Sequence, residues 1–294
     1  MFIEILTVIA PVGLIAALGF VWDRKGLPFD TNMVATLVTT IGAPCLIISI
    51  LLENSPDPEI IKGMATAALC VVGSVAFVGA IGLRLAGQSL KAFLPALMFP
   101  NAGNMGIPLC FFAFGEEGLA LSVSFFAATA LTQFTIGISI AAGRVALRDV
   151  ATNPVLWAAA IAVALLLTDT ALPRWIDVTV DVMAGMVIPL MLMSLGISLS
   201  RLQPTSLMHS TMFSLARLIL GFAAGLGVSA LLGLDGVARA AVIIQSSMPT
   251  AVFNYLFAAR YDNRPGEVAG VVVVSTVISF LTLPLLLGFV LTRN

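Results

Sequence analysis

Two short stretches concentrate the polar chemistry of this chain. The first, Pro100-Asn101-Ala102-Gly103-Asn104-Met105-Gly106-Ile107-Pro108, brackets two amides and two glycines between prolines. The second, Gln245-Ser246-Ser247-Met248-Pro249-Thr250, adds an amide and hydroxyls, with Asn254 one turn on. A proline within a helix removes a backbone donor and clashes with the carbonyl four residues back. Nearby glycines lower the cost of leaving helical geometry. An asparagine side chain offers two donors and an acceptor. If such interruptions cross, the half-helices that begin there point their positive N-terminal ends at one small volume. That volume suits an anion, above all a carboxylate. Asn104, Gln245, Ser246 and Asn254 are candidate binding residues on this ground. The plainer reading, that the prolines only kink their helices, stands beside it.

The elements that must carry these stretches follow from composition. The 294 residues are 60% hydrophobic and 10% charged, with mean hydropathy +1.09. Soluble domains carry about 25% charged residues, so 14 Lys+Arg and 15 Asp+Glu cannot cover a water-facing surface. A nucleic-acid partner would need a basic surplus that is absent. The composition describes an integral membrane protein with the lipid bilayer as its main partner. In hydrocarbon a broken helix survives only against protein or a water-filled cavity, because each freed backbone group costs several kcal/mol.

Polar interruptions delimit ten apolar runs, at about 3–22, 33–53, 62–84, 92–114, 117–142, 152–169, 178–199, 211–232, 237–259 and 267–291. Each is close to the length of a membrane-spanning helix. The short connections include Asp23-Arg24-Lys25-Gly26, Asn54 to Glu59, Arg148-Asp149 and Asp262-Asn263-Arg264-Pro265. Met1-Phe2-Ile3-Glu4 places an acid where a cleavable signal peptide needs basic residues, so the first run reads as a retained span.

The two halves match. Spans 2 and 7 carry Pro44 and Pro189, and spans 4 and 9 carry Pro108 and Pro249, with separations of 64 and 60 residues. Five spans per half is an odd number, so the second half enters the membrane with opposite topology. The expectation is an all-α membrane protein with ten transmembrane helices. They form two inverted repeats, 1–149 and 150–294, with helices 4 and 9 broken and crossing. Inverted repeats with matched broken helices point to a transporter site.

Nine Lys and Arg, among them Arg24, Lys25, Arg84, Arg201 and Arg264, fall in the odd-to-even connections, against four on the opposite side. The positive-inside rule then puts both termini outside the cytoplasm, in a multi-pass protein of the inner (plasma) membrane. Arg217 lies about two turns into span 8 and reads as snorkelling to the cytoplasmic interface. Gly73, Gly79 and Gly82 suit helix packing, within the bundle or between protomers of a homodimer. Cys45, Cys70 and Cys110 fall inside apolar runs and read as small hydrophobes. The single histidine, His209, gives a His-based metal site no material, and no phosphate-binding loop, HExxH or nucleophile elbow occurs. No catalytic residue, metal or cofactor is expected, and the protein does not read as an enzyme.

The residues also carry a resemblance. Pro100-Asn101 followed by Met105-Gly106-Ile107-Pro108-Leu109 resembles the span 4 motif of the auxin efflux carrier family, the relatives of the plant PIN exporters. Pro249, Ala258-Ala259-Arg260-Tyr261 and Pro265 resemble its span 9 pattern, and Ser275-Thr276 with Leu283-Pro284 its last span. Arg260 departs from the pattern, standing where relatives often have an acid. The resemblance implies scaffold and transport domains, spans 4 and 9 crossing at their prolines, alternating access and small organic anion substrates. It makes Asn101 a carboxylate contact and places Pro108 and Pro249 at the crossover. Coupling stays open between potential-driven export and sodium-coupled import. A non-transporting receptor or scaffold is the remaining alternative.

Overall fold

Prolines and glycines set where the helices begin, widen and stop. The computed structural model describes residues 2–53, 58–144, 154–168, 170, 172–201 and 206–292. The connection at Asn54–Asp57, Arg148-Asp149, the boundary at 149/150 and Arg293 lie outside the described residues. Helix α1 (Phe2–Arg24) stops just before Gly26, whose φ of 68° few other residues adopt comfortably. Three segments, Thr31–Leu37, the π-helical Val38–Gly42 and Ala43–Glu53, run on as α2. Next come α3 (Pro58–Leu85) and α4 (Leu90–Met98). Helix α5 (Ala102–Ala142) opens with a π-helical turn, Ala102–Gly106, and contains a second one, Gln133–Gly137. Then follow α6 (Pro154–Leu167), α7 (Arg174–Gly185), α8 (Val187–Arg201), α9 (Leu207–Leu231), α10 (Gly236–Ser247), α11 (Val252–Arg260) and α12 (Pro265–Leu291).

The predicted prolines act through the carbonyl four residues back. Thr40, four before Pro44, lies in the Val38–Gly42 π-turn, and Asn104, four before Pro108, lies in the Ala102–Gly106 π-turn. Gly185, four before Pro189, ends α7, and Gln245, four before Pro249, lies in the last turn of α10. Widening or ending the helix at that point relieves the ring–carbonyl clash.

Gly115 (φ 63°, ψ −146°) divides α5 into two limbs. The limbs fold back on each other. The Gln245 side chain donates to Ser122 O (3.2 Å) and also fills the space where Gly106 would carry a Cβ. In a straight helix, residues 106 and 122 would stand about 24 Å apart, beyond the reach of one glutamine.

Among the described residues, five helical stretches are long and apolar enough to cross a membrane: Glu59–Leu85, Ala102–Ala142, Arg174–Arg201, Leu207–Leu231 and Pro265–Leu291. Their exposed faces carry large apolar side chains such as Phe77, Val182, Ile219 and Leu281, a surface matched to hydrocarbon. With no hydrophobic force between helices in lipid, close packing takes its place. Helices α1 and α8 cross where Gly19 faces the Met193 carbonyl and Gly196 faces the Ala16 carbonyl, so that a Cβ at either would overlap backbone. Of the three glycines expected to pack helices, Gly79 lies against Leu94 and Leu97, whereas Gly73 and Gly82 face open space. A central core joins Val12 of α1, Met64 and Val71 of α3, Leu109 and Phe125 of both α5 limbs, Ile244 of α10 and Leu287 of α12.

Candidate functional site

The centre of the molecule is a crossing of two interrupted helices. Helix α4 stops at Met98 and α5 starts at Ala102; α10 stops at Ser247 and α11 starts at Val252. Between them Phe99, Met248 and Ala251 are extended, and the two stretches meet as an antiparallel bridge, Pro100 opposite Thr250. Asn101 N–H donates to Pro249 O (2.7 Å), and Ala251 N–H donates to Phe99 O (3.1 Å). Proline fits at position 100 because the bridge draws its donors from the neighbouring residues. Thr250 N–H turns instead to Ser275 Oγ on α12 (3.2 Å), and Thr250 Oγ1 donates to Ala96 O (2.9 Å). The backbone groups freed by both breaks are thus largely matched within the protein, as a hydrocarbon setting demands.

In the first half the crossing lies at Pro100, eight residues before Pro108, where the sequence places it. Pro108 is not at the bridge: it is buried just after the Ala102–Gly106 π-turn, whose widening accommodates the proline ring while the helix continues. The break sits at Phe99-Pro100-Asn101. Pro249 does lie in the extended stretch, and its carbonyl receives Asn101 N–H.

A cavity of about 590 Å³ opens against the crossing. Its polar wall holds Asn101, Asn104, Thr129, Gln133, Ser194 and Ser198. Phe126, Phe134, Met191 and Phe253 supply an apolar wall. Both helices that begin at the crossing, α5 and α11, present their first turns to this space through Ala102–Asn104 and Ala251–Phe253. Their N-terminal N–H groups and positive dipole ends therefore face the cavity.

Asn101 is 4% exposed, and its Nδ2 is buried with no hydrogen-bond partner. A buried unmatched donor costs about 1–3 kcal/mol, so an acceptor brought to it is stabilised. Asn104, half-buried, is the second expected residue on the cavity wall. Asn254, 2% exposed, stands one layer behind: Nδ2 donates to Phe99 O (3.2 Å) and Oδ1 accepts from Gln133 Nε2 (3.1 Å). Asn254 thereby orients Gln133 towards the cavity. Gln245 and Ser246 are fully buried away from it. Gln245 ties α10 to Ser122 of α5, and the Ser246 hydroxyl donates to Ile243 O (3.1 Å). Gln245 thus links the crossing helices, whereas the Ser246 hydroxyl bonds within its own helix.

Thr129, Gln133, Ser194 and Ser198 are cavity residues that the sequence reading missed. Each pair has i, i+4 spacing, which places it on one helix face, and Phe126 and Met191 continue those faces three residues earlier. At the mouth, Arg201 joins three elements: Nε to Asp23 Oδ1 (2.8 Å), Nη1 to Thr31 Oγ1 (2.8 Å) and Nη2 to Phe29 O (3.2 Å). Ser200 Oγ adds a bond to Asp23 Oδ2 (2.7 Å). That hydroxyl first, and the Arg201 guanidinium second, hold the Asp23 carboxyl below the ordinary carboxylate range.

Arg217 corrects a second expectation. It does not snorkel: it is 0% exposed, with Nη1 donating to Leu97 O (2.9 Å) and Nη2 to Ser246 O (2.6 Å). These carbonyls belong to the C-terminal ends of α4 and α10. Gly221 and Gly225, on the same face of α9, allow this approach: a Cβ at Gly221 would overlap Ser246 O, and one at Gly225 would overlap Ser246 Oγ.

Comparison with known proteins agrees with a transport role. Residues 138–287 match the family model described as membrane transport protein, just over half of the chain. An uncharacterized transporter of Methanocaldococcus jannaschii is 28% identical, over 85% of this chain and 86% of that protein. An uncharacterized transporter of Methanothermobacter thermautotrophicus is 26% identical, over 87% and 88% respectively. The sequence motifs and the family match together place this chain in the membrane transport protein family, the family of the auxin efflux carriers.

Proposed function

We propose that this protein exports small organic anions by alternating access, with the carboxylate held at the crossing of the two interrupted helices. In this reading the ten apolar runs are ten spans in two inverted repeats, 1–149 and 150–294. The observation that carries the site is the unpartnered Asn101 Nδ2 beside the N-terminal ends of α5 and α11. Each such end acts as roughly half a positive charge, so two of them offset about one negative charge, while Arg201, which also lines the cavity, is paired with Asp23. The opposite wall of Phe126, Phe134 and Phe253 suits the apolar body of an organic acid, and about 590 Å³ is within the range of small-molecule sites. The mouth residues Phe29–Thr31 and Arg201 lie on the side that the positive-inside rule assigns to the cytoplasm. A cavity open to that side is the loading state of an exporter.

The test is flux from proteoliposomes loaded with a panel of labelled mono- and dicarboxylates, while potential, pH and Na⁺ gradients are imposed in turn. Efflux of at least one carboxylate, faster under a potential negative on the loaded side and indifferent to Na⁺, is the expected result. Strict Na⁺ dependence would instead mark a sodium-coupled carrier. No movement of any carboxylate under any gradient would end both readings.

A further inference from the structure

The cavity and the hydrogen bonds of the crossing account for both N-terminal ends that meet there. At the two C-terminal ends, Thr250 reaches Ala96 O of α4, and Arg217 takes Leu97 O of α4 together with Ser246 O of α10. We propose that Arg217 is a tethered cation built into the crossing. Its guanidinium fills the place that a mobile cation would take between the two half-helix ends, which makes the crossing independent of sodium.

The charge count supports this role. A helix C-terminus behaves as roughly half a negative charge. The ends of α4 and α10 together present about one negative charge, and the guanidinium supplies one positive charge within hydrogen-bond distance of a carbonyl from each. Among the described residues no carboxylate pairs with Arg217. A charged side chain buried deep in a spanning helix is costly unless something compensates it, and here the compensation is the two helix ends themselves. Planarity matters as well. The two Nη groups of a guanidinium diverge by a fixed geometry, so one side chain can hold two carbonyls from different helices at a set separation. Those carbonyls, of Leu97 and Ser246, lie three and four residues before the bridge residues Pro100 and Thr250. Arg217 therefore acts as a positioning residue for the bridge and, through it, for Asn101. Sodium held by unwound carbonyls would need this same trough, and the guanidinium already occupies it.

The test does not depend on what the cavity binds. Thermal unfolding midpoints are measured on the purified full-length protein in detergent, with sodium, choline or millimolar guanidinium chloride at constant ionic strength. The wild type is expected to show the same midpoint in sodium and choline. Arg217→Ala is expected to fall by on the order of 10 °C and to recover part of that loss in guanidinium but not in choline. Arg217→Lys, which keeps the charge, should lie between wild type and Ala, and Arg217→Met, which keeps the bulk, should lie near Ala. A wild-type midpoint raised specifically by sodium overturns the proposal, as does an Ala variant that folds but ignores guanidinium. If the Ala variant yields no folded protein, the other two decide. A Met variant as stable as the Lys variant overturns the assignment, and a less stable one supports it. A failure here leaves the carboxylate flux assay untouched, so the two readings fall separately.

Discussion

Replacing Asn101 by alanine separates a binding role from a structural one, because the two act in opposite directions. Nδ2 of Asn101 is buried and unpaired, while the backbone N–H that forms the bridge to Pro249 O does not depend on the side chain. Removing an unpaired buried donor relieves a desolvation cost of about 1–3 kcal/mol. The unliganded variant should therefore be as stable as the wild type or slightly more so. A hydrogen bond to a carboxylate contributes about 1.5–3 kcal/mol, equivalent to roughly 10- to 150-fold in affinity. The N-terminal ends of α5 and α11 remain in place, so binding weakens without vanishing. Proteoliposome efflux measured across a range of internal carboxylate concentrations should show a higher half-saturation value by that factor. A detergent melting curve on the same preparation should show an unchanged or raised midpoint. An unaltered half-saturation value together with a lowered midpoint would refute the reasoning, because it would make Asn101 a packing residue. Asn101→Asp sharpens the contrast: it places a negative charge where the carboxylate belongs and should abolish saturable efflux.

Three further outcomes follow from the packing. Asn254→Leu removes the acceptor of Gln133 Nε2 and a donor to Phe99 O, and should cost about 1–3 kcal/mol of stability, read as a lowered melting midpoint. Gly196→Ala drives a methyl into the Ala16 carbonyl and should destabilise by about 1–3 kcal/mol, whereas Gly73→Ala meets open space and should be neutral or mildly stabilising in the same melt. The Asp23 carboxyl titrates below its unfolded value of 3.8. A depressed folded value means that the Asp23–Arg201 clasp contributes in full above 3.8 and is lost as pH falls through the folded value. Asp23→Asn should therefore melt below the wild type at neutral pH, with the two curves converging in acid below 3.8.

The sequence disclosed where helices would be disturbed more reliably than how. Pro44, Pro108, Pro189 and Pro249 each mark a disturbance four residues upstream, because the ring clash acts on that carbonyl. Only Pro249 adjoins an open break on its own element. Pro108 marks a widening and not a break, because the π-turn before it takes up the ring clash while the helix continues. The signal that was missed lies at Phe99-Pro100: the residue before a proline is pushed towards extended backbone, and Phe99 is extended at φ −103°, ψ 110°. Asn101 and Asn104 were legible as cavity residues because they adjoin the break. Gln245 and Ser246 adjoin the second break and Asn254 lies one turn on, but neither position nor polarity says whether a polar side chain faces a cavity or a neighbouring helix. Arg217 shows the same limit. Its depth was readable, but the face it occupies is fixed by Gly221 and Gly225 packing on α10, a pairing between helices that spacing within one helix does not reveal.

In the proposed transport cycle, the buried guanidinium also sets which form of the protein feels the membrane voltage. Helix dipoles carry no net charge, so the crossing, taken with Arg217, holds one formal positive charge when the cavity is empty. A seated monoanion brings that sum to zero. In an alternating-access cycle that moves the crossing as one piece, the loaded step is then electrically silent and the empty return step carries the current. At about 2.3 kcal/mol per charge per 100 mV, an interior-negative potential draws the empty form back towards the cytoplasm, where it reloads. On the proposed export reading, the return of the empty carrier sets the direction of net flux and no ion need travel alongside the substrate.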